Sequence, residues 1–167
     1  MKVALREWRK EDCEQLVLLA NNKNIADNLR DRFPHPYTIK DAEEWIAVNE
    51  SRNPTTNFVI EVNGQLAGGC GIQLKEDVYR RSAEIGYWLA ETFWGKGITT
   101  EAVQLLLEKI DADFPSIIRL YAEVFENNKP SMRVLEKNGF YLEGIRKKAV
   151  MKNDTLMNDH VYVKIIR

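Results

Sequence analysis

Hydrophobic and polar residues recur along this chain with two different periods, which separate predicted strands from predicted helices. Segments with alternating or densely spaced apolar residues predict seven strands. They cover residues 3–8, 57–62, 65–74, 82–90, 117–124, 140–150 and 156–166. Asn63 and Gly64 form the preferred pair for a two-residue hairpin turn, because both positions accept a positive φ. Residues 117–124 are dense in apolar side chains, as in a central strand covered on both faces.

Apolar residues at steps of three and four predict four helices between the strands. The longest runs for about four turns after residue 97 and buries Val103, Leu106 and Ile110 on one face. The last covers residues 128–138 and ends at Gly139, a suitable left-handed stop. Residues 21–37 are predicted to be irregular and are long enough to line a binding site. The predicted helix caps are Asp12 with Gln15, Thr38, and Asn128 or Ser131.

The order of these elements predicts one α/β (α+β) domain spanning residues 1–167. A mixed, mostly antiparallel sheet of six to seven strands should carry helices on both faces. The helix after residue 97 should connect a central pair of parallel strands. Gly68, Gly69 and Gly71 interrupt the third strand, so we expect a bulge or a close neighbour there.

Composition and charge exclude several classes of protein. Residues are 44% hydrophobic and 29% charged, and no apolar run approaches the ~20 residues that cross a bilayer. The formal net charge of −1 provides no general attraction to nucleic acid or to an anionic membrane. Cys13, Cys70, His35 and His160 show no metal-ligand spacing, and the charged N-terminal segment lacks the apolar core of a signal peptide. We therefore expect a cytoplasmic protein without a metal, a nucleic-acid partner or membrane contact.

The stretch from Trp94 to Ala102 is the strongest chemical signal in the chain. Gly95 and Gly97 flank Lys96 and lead directly into a helix, whose first amides and partial positive charge suit phosphate oxygens. Taken alone, such a pair of glycines is more often only a loop. A dinucleotide-binding fold fits poorly, because it needs a third glycine where this chain has Thr100 and an early position in the sequence.

Four separated segments resemble the GNAT superfamily of acetyl-CoA-dependent N-acetyltransferases, and within it the RimJ/RimL-like branch. Residues 83–89 with 93–97 resemble the cofactor motif of that family, and residues 128–140 resemble its second motif. The opening segment from Leu5 to Asp12 and the closing segment from Asp159 to Tyr162 complete the match. The resemblance spans nearly the whole chain, and the first two segments are specific in combination.

The resemblance implies acetyl-CoA as the co-substrate and assigns its binding residues. Family members hold the cofactor pyrophosphate on backbone amides of the glycine loop, and pantetheine pairs with a bulged strand that ends at Trp88 and Leu89. The Leu89 amide would polarise the thioester carbonyl. Asn128 would bind the pantetheine arm, although it is also a good helix cap. The remaining implied cofactor contacts are Trp94, Gly95, Lys96, Gly97, Ile98, Thr99 and Thr100.

The implied chemistry is direct attack of an amine on the acetyl thioester, which requires a proton acceptor. Glu84 is the first candidate, acting through a water, but a strand glutamate paired with a neighbouring arginine is a comparable alternative. Many family members place a proton-donating tyrosine where this chain has Leu135. Ser131 or solvent would then protonate the thiolate, while a structural role for the Ser131 hydroxyl remains open. Lys96 would add charge near a phosphate or remain a solvated loop lysine.

These residues predict an N-acetyltransferase that acts on a primary amine of a peptide or small molecule. Protein α-amino groups are one acceptor class that the branch suggests. Because Leu135 replaces the proton-donating tyrosine and Glu84 has an alternative structural role, a non-catalytic acyl-CoA-binding or sensing module is the alternative. A CoA-independent interaction domain is a third. A homodimer is an expectation carried by the family alone.

Overall fold

The computed structural model describes all residues from Met1 to Arg167. The strands are β1 (Val3–Arg6), β2 (Asn57–Val62), β3 (Gln65–Leu74), β4 (Ser82–Leu89), β5 (Arg119–Phe125), β6 (Tyr141–Lys152) and β7 (Thr155–Ile165). The helices are α1 (Cys13–Ala20), α2 (Lys23–Ala26), α3 (Ile39–Glu50), α4 (Ile98–Asp113) and α5 (Lys129–Lys137). Short 3-10 turns lie at Lys10–Asp12, Asp77–Tyr79 and Glu91–Phe93. None of the helices is both long and apolar enough to span a membrane.

The seven strands are ordered β1-β2-β3-β4-β5-β7-β6 in one sheet. β4 and β5 run parallel, whereas β1 with β2, β2 with β3, β5 with β7, and β6 with β7 are antiparallel. The parallel ladder is short and joins residues 82–84 of β4 to residues 119–121 of β5. The mostly antiparallel sheet with a central parallel pair is therefore confirmed.

Turn chemistry explains the two tight hairpins. Asn63 and Gly64, between β2 and β3, have φ values of 50° and 83°, as a mirror-image turn requires. Asn153 and Asp154, between β6 and β7, have φ values of 49° and 59°. Asparagine, aspartate and glycine tolerate this left-handed region best. The hairpin between β2 and β3 lies where the sequence predicted it.

Contacts divide the chain into two compact units, of which the first comprises Met1–Gly71 and Tyr87–Leu106. A capping box at Thr38 starts α3, because Thr38 Oγ1 accepts from the Asp41 amide at 3.3 Å while Asp41 accepts from the Thr38 amide at 2.7 Å. The buried core of this unit comprises Trp8, Leu16, Ala20, Tyr37, Ala42, Ile46, Val59 and Leu66.

The second unit comprises Ile72–Gly86 and Leu107–Arg167. Tyr162 on β7 donates to Glu136 on α5 at 2.9 Å, and Lys164 donates to the Asn138 carbonyl at 2.6 Å, so β7 holds the helix in place. Gly139 follows α5 with a φ of 80°, as predicted for its left-handed stop. The buried apolar residues of this unit include Ile110, Phe114, Ile117, Leu120, Val124, Met132, Leu135, Phe140 and Val163.

Three local predictions are wrong. β1 ends at Arg6, and the segment predicted to be irregular contains the short helix α2, which the side chain of Asn22 caps by accepting from the Asn24 amide at 2.8 Å. Asp12 does not pair with Gln15 as a cap, because its carboxylate is engaged elsewhere. It accepts two 2.8 Å hydrogen bonds from the Arg6 guanidinium and one at 2.9 Å from a backbone amide.

The prediction that β5 is covered on both faces is also wrong. Its buried residues alternate with half-buried ones, and the half-buried positions include Tyr121 and Glu123. The strand therefore presents one apolar face and one polar face, as in an ordinary amphipathic strand.

Candidate functional site

The glycines of β3 let this strand pass very close to the end of β4. A Cβ atom on Gly68 would lie 2.2 Å from the Trp88 carbonyl oxygen and 2.9 Å from the Leu89 Cα atom. Non-bonded carbon atoms normally approach to about 3.5 Å, so no side chain fits at this position. The Ala90 amide donates to the Ala67 carbonyl at 2.8 Å and continues this contact. The predicted close neighbour is thus the backbone of β4 itself.

A bulge in β3 accompanies this close approach, as the glycines of that strand predicted. Ile60 pairs with Gly68 and Glu61 pairs with Leu66, so Ala67 is an additional residue on β3 opposite β2. Bulges re-aim a strand locally and are frequent beside functional sites. This bulge sits at the residue whose carbonyl binds the end of β4.

The turn from β4 into the glycine loop is held by a tryptophan. Trp94 Nε1 donates to the Leu89 carbonyl oxygen at 2.8 Å. Gly95 and Gly97 follow with φ values of 74° and 76°, which glycine adopts without strain. A Cβ atom on either glycine would meet nothing within 4 Å. The backbone around both glycines therefore faces open space, as binding of a ligand to backbone amides requires.

Helix α4 begins directly after the loop. The Glu101 amide donates to the Gly97 carbonyl at 3.2 Å, so the helical hydrogen bonds start at this glycine. Ile98 is fully buried and anchors the first turn, while the side chains of Thr99 and Thr100 are half-buried. The first amides of a helix point along its axis and carry partial positive charge. An anion at this loop would meet that charge.

Lys96 is exposed and points back along the chain. Its ammonium donates to the Thr92 carbonyl at 2.9 Å and lies 5.8 Å from the centre of the Phe93 ring. Both contacts hold the lysine beside the loop. They are also weak enough at an exposed position for the ammonium to reach a nearby anion instead.

Asn128 caps helix α5 in the second unit. Its Oδ1 atom accepts from the Ser131 amide at 3.3 Å, and Pro130 occupies the first turn, where its missing amide proton costs nothing. The cap uses only the carbonyl oxygen of the side chain. The NH2 group of Asn128 is the part that a ligand would use, so capping and ligand binding involve different atoms.

Glu84 forms an ion pair in the second unit, with a lysine rather than the expected arginine. Lys75 Nζ lies 3.0 Å from Glu84 Oε2, and the side chains are only 24% and 12% exposed. The ammonium also lies 5.5 Å from the centre of the Tyr121 ring. Desolvation opposes the charge of Lys75, but hydrogen bonds to Glu84 and Tyr121 outweigh it and raise the pKa of Lys75. The carboxylate of Glu84 is therefore held in place by a stable cation.

The position of the family's tyrosine is part of the core. Leu135 is fully buried on α5 and presents no group to a thiolate. Ser131, in the first turn of the same helix, is half-buried. Of these two positions, only Ser131 carries a hydroxyl.

Two contacts of the first unit were missed by the sequence analysis. The ring of Phe33 lies 5.6 Å from that of Trp88, and Glu91 accepts hydrogen bonds from Asn22 at 2.7 Å and from Asn24 at 3.1 Å. Those two hydrogen bonds, Asn22 first, lower the pKa of Glu91. The segment between α1 and α3 is therefore tied both to the end of β4 and to the turn that follows it. Pairs this distant in sequence leave no local pattern.

The chain matches the acetyltransferase (GNAT) domain over residues 2–141. It belongs to the GNAT acetyltransferase family. GNAT proteins are acyltransferases, and the resemblance inferred from the glycine loop and the α5 motif is thereby confirmed.

Curated GNAT relatives are similar over different lengths. An N-acetyltransferase named p20 from Bacillus licheniformis is 36% identical over 86% of this chain and 82% of its own length. The ribosomal-protein-serine acetyltransferase of Escherichia coli is 37% identical over 65% of this chain. The chain spans 60% of the length of that enzyme and 46% of a probable N-acetyltransferase, YjcK, from Bacillus subtilis.

Solved GNAT structures share the fold over nearly the entire chain. RimL, a ribosomal alpha-N-protein acetyltransferase in complex with coenzyme A, has a TM-score of 0.86 at 25% identity and covers 99% of this chain and 95% of its own. The microcin self-immunity acetyltransferase MccE, in complex with acetyl-CoA and AMP, has a TM-score of 0.84 at 26% identity, with 99% and 93% coverage. The RimJ/RimL-like character predicted from the sequence is confirmed by these relatives.

Proposed function

We propose that this chain transfers an acetyl group from acetyl-CoA to a primary amine by direct attack. The glycine loop carries the proposal, because two left-handed glycines face open space at the start of a long helix in a GNAT protein. Solved relatives of this fold hold coenzyme A or acetyl-CoA. The chemistry of a backbone amide cradle suits the pyrophosphate of that cofactor.

The cofactor contacts follow from this assignment. The amides from Gly95 to Thr100 would bind the pyrophosphate, with Lys96 swinging from the Thr92 carbonyl toward a phosphate oxygen. The edge of β4 up to Trp88 would pair with pantetheine as an added strand does. Trp94 would act through its bond to the Leu89 carbonyl, which fixes the end of that strand. Asn128 would donate its side-chain NH2 to the pantetheine arm while its carbonyl oxygen caps α5.

Transfer itself needs charge stabilisation and two proton movements. The amine nitrogen would attack the thioester carbon, the Leu89 amide would stabilise the resulting oxyanion, and the carbon–sulfur bond would then break. Glu84 would receive the proton of the amine through a water. Its ion pair with Lys75 fixes the position of the carboxylate. The departing thiolate would take its proton from Ser131 or from solvent.

Cofactor binding is tested by changing the glycine loop without straining it. Asparagine tolerates a positive φ, so Gly97→Asn should keep the loop conformation and fill the space beside it. Gly64→Asn is the matched control, because Gly64 also has a positive φ and no neighbour within 4 Å but lies in the β2–β3 turn.

Coenzyme A at about 100 times its dissociation constant should stabilise the wild type by roughly 2.7 kcal/mol. The same shift should appear in Gly64→Asn and disappear in Gly97→Asn, as measured by melting curves. Equal shifts in both variants would place the cofactor elsewhere, and no shift in the wild type at millimolar coenzyme A would remove the cofactor assignment.

Turnover separates an enzyme from a sensing module. Acetyl-CoA should release free thiol in the presence of an amine from a panel of N-terminal peptides, polyamines and amino sugars. The E. coli relative is named for a ribosomal-protein serine, so peptides with serine at the N-terminus belong in the panel. Tight binding with no acceptor reacting would favour the non-catalytic module, for which the buried Leu135 is the supporting observation.

Glu84 is tested together with the lysine that holds it. Glu84→Gln should slow transfer at least tenfold while the affinity for coenzyme A is kept. Lys75→Met removes the ion pair that positions this carboxylate, so it should also slow transfer while the affinity for coenzyme A is kept. An unchanged rate in Glu84→Gln at limiting pH would exclude Glu84 as the base.

A further inference from the structure

The chain between α1 and α3 is anchored to the first unit by its side chains. We call residues 21–37 the α1–α3 segment. The hydrogen bonds between its backbone groups join residues at most four positions apart, and the segment belongs to no strand. Its side chains Ile25, Ala26 and Tyr37 are buried. Because no strand pairing holds it, the order of this segment depends on the side-chain contacts that it makes.

Two asparagines of the α1–α3 segment converge on one carboxylate. Asn22 Nδ2 donates to Glu91 Oε2 at 2.7 Å, and Asn24 Nδ2 lies 3.1 Å from both carboxylate oxygens. The Oδ1 atom of Asn22 accepts from the Asn24 amide at 2.8 Å, which fixes the end of the Asn22 side chain that faces Glu91. Hydrogen bonds to a charged acceptor are stronger than those between neutral groups. Glu91 therefore binds the start of the segment at two adjacent residues.

Glu91 belongs to the turn that leads from β4 into the glycine loop. We call residues 90–94 the β4 turn. The Glu91 carbonyl accepts from the Trp94 amide at 3.1 Å, and the Trp94 ring donates to the Leu89 carbonyl at 2.8 Å. Gly95 follows directly. A ligand bound to the amides after this turn would therefore restrain the backbone that carries Glu91.

A second contact joins the other end of the segment to the end of β4. The half-buried rings of Phe33 and Trp88 lie 5.6 Å apart, and the ring of Phe33 lies 5.2 Å from that of the buried Tyr37. All of these residues, like Asn22, Asn24 and the β4 turn, belong to the first unit. The segment is thus attached near both of its ends to the stretch from Trp88 to Glu91.

We propose that Glu91 is a positioning residue that couples binding of coenzyme A at the glycine loop to the order of the α1–α3 segment. This inference rests on the proposed function, in which the segment would form a wall of the acceptor site, because Phe33 packs against Trp88 beside Leu89. A ligand that restrains the β4 turn lowers the entropic cost of ordering a segment bonded to that turn. Cofactor binding would then prepare the acceptor side through Glu91.

Hydrogen exchange measured with and without coenzyme A tests this coupling. The reporters are the amides of Ile25 and Ala26, which donate to the Asn22 carbonyl at 3.2 and 3.1 Å. Saturating coenzyme A should slow their exchange in the wild type at least about fivefold, the lower end of usual couplings between two sites. Glu91→Ala should still bind coenzyme A, as shown by its melting shift, but should lose this additional protection.

Glu44→Ala is the matched control. Glu44 is also an exposed glutamate of the first unit, but its partner is Lys40 on the same helix, at 3.8 Å. This variant should keep the protection seen in the wild type. Asn24→Ala removes the contact from the opposite side and should lose the protection as Glu91→Ala does. It decides the question where Glu91→Ala does not fold or does not bind coenzyme A.

A merely structural glutamate leads to a different result. Glu91→Ala would then speed exchange equally with and without coenzyme A, so the ratio of the two rates would match the wild type and overturn the inference. Equal exchange in the wild type with and without coenzyme A, despite a melting shift, would overturn it and leave the proposed function intact. No melting shift in the wild type would remove the proposed function and this inference together.

Discussion

Replacing Gly68 by alanine would test how closely β3 and β4 approach at the candidate cofactor strand. The new Cβ atom would lie 2.2 Å from the Trp88 carbonyl oxygen, against about 3.5 Å for an ordinary contact. The strands must therefore separate by roughly 1 Å, and a backbone carbonyl cannot rotate away as a side chain does. Overpacking costs about 1–3 kcal/mol, and a backbone clash belongs at the upper end of that range.

A cost of about 3 kcal/mol corresponds to a melting temperature lower by roughly 6–12 °C in a chain of this size. The same displacement moves Trp88 and Leu89, so the affinity for coenzyme A should fall as well. Gly71→Ala gives the matched comparison. Its Cβ would meet the Thr56 carbonyl at 2.5 Å, so stability should fall without disturbing β4.

Gly144→Ala is the control for the substitution itself. Gly144 lies in β6 and a Cβ there would meet nothing within 4 Å, so stability should stay level or rise by up to about 1 kcal/mol. Thermal melting and coenzyme A titration of the three variants provide the measurements. A Gly68→Ala protein that melts with the wild type would refute the close approach. Equal loss of affinity in Gly68→Ala and Gly71→Ala would refute the specific link to β4.

Further expectations concern stability and accessibility in the first unit. Asp12→Ala should lower the free energy of unfolding, measured in urea, by about 2–3 kcal/mol, because the variant loses a buried carboxylate that accepts two hydrogen bonds from Arg6. A decrease of less than half that amount would contradict this prediction. Iodoacetamide should modify Cys13 in the folded protein and leave the buried Cys70 intact until unfolding, as mass spectrometry would show; burial raises the pKa of Cys70 to about 12. Burial also raises the pKa of Tyr37 from 10 to about 12, so its contribution to the free energy of unfolding is complete below pH 10 and is lost between pH 10 and 12. Tyr37→Phe should abolish that part of the loss of stability at alkaline pH. Parallel curves of unfolding free energy against pH in the two proteins would argue against it.

Local chemistry made the turns and helix ends predictable. Asn63 with Gly64, Thr38 and Gly139 each act through bonds or φ values that involve residues at most three positions away. Asp12 has an equally good local pattern for a cap, yet its carboxylate binds Arg6 instead. A guanidinium offers two charged hydrogen bonds, which outweigh one bond to a helix amide. Local rules for helix caps therefore fail where a charged partner from a neighbouring element binds the same side chain.

In the candidate site, too, local features were predictable and contacts between distant residues were not. The role of the glycine loop rests on backbone conformation, which Gly95 and Gly97 encode by themselves. Glu84 depends on which cation faces it, and that partner, Lys75, comes from the end of a different strand. Asp159 belongs to a segment that resembles the family, but its contact with Arg146 arises only when β6 and β7 pair. The periodicity of the sequence does not predict which side chains meet across different strands.

This division also explains how GNAT proteins keep one cofactor and change acceptors. A binding site made of backbone amides needs only glycines and a helix start, so most of its side chains are free to vary. The fold of RimL is matched with a TM-score of 0.86 at 25% identity, so this backbone tolerates extensive change of its side chains. An acceptor site made of charged side chains has no such freedom. Single changes of such side chains would alter the acceptor without altering the backbone of the glycine loop, so acceptor specificity should diverge faster in this family than cofactor use.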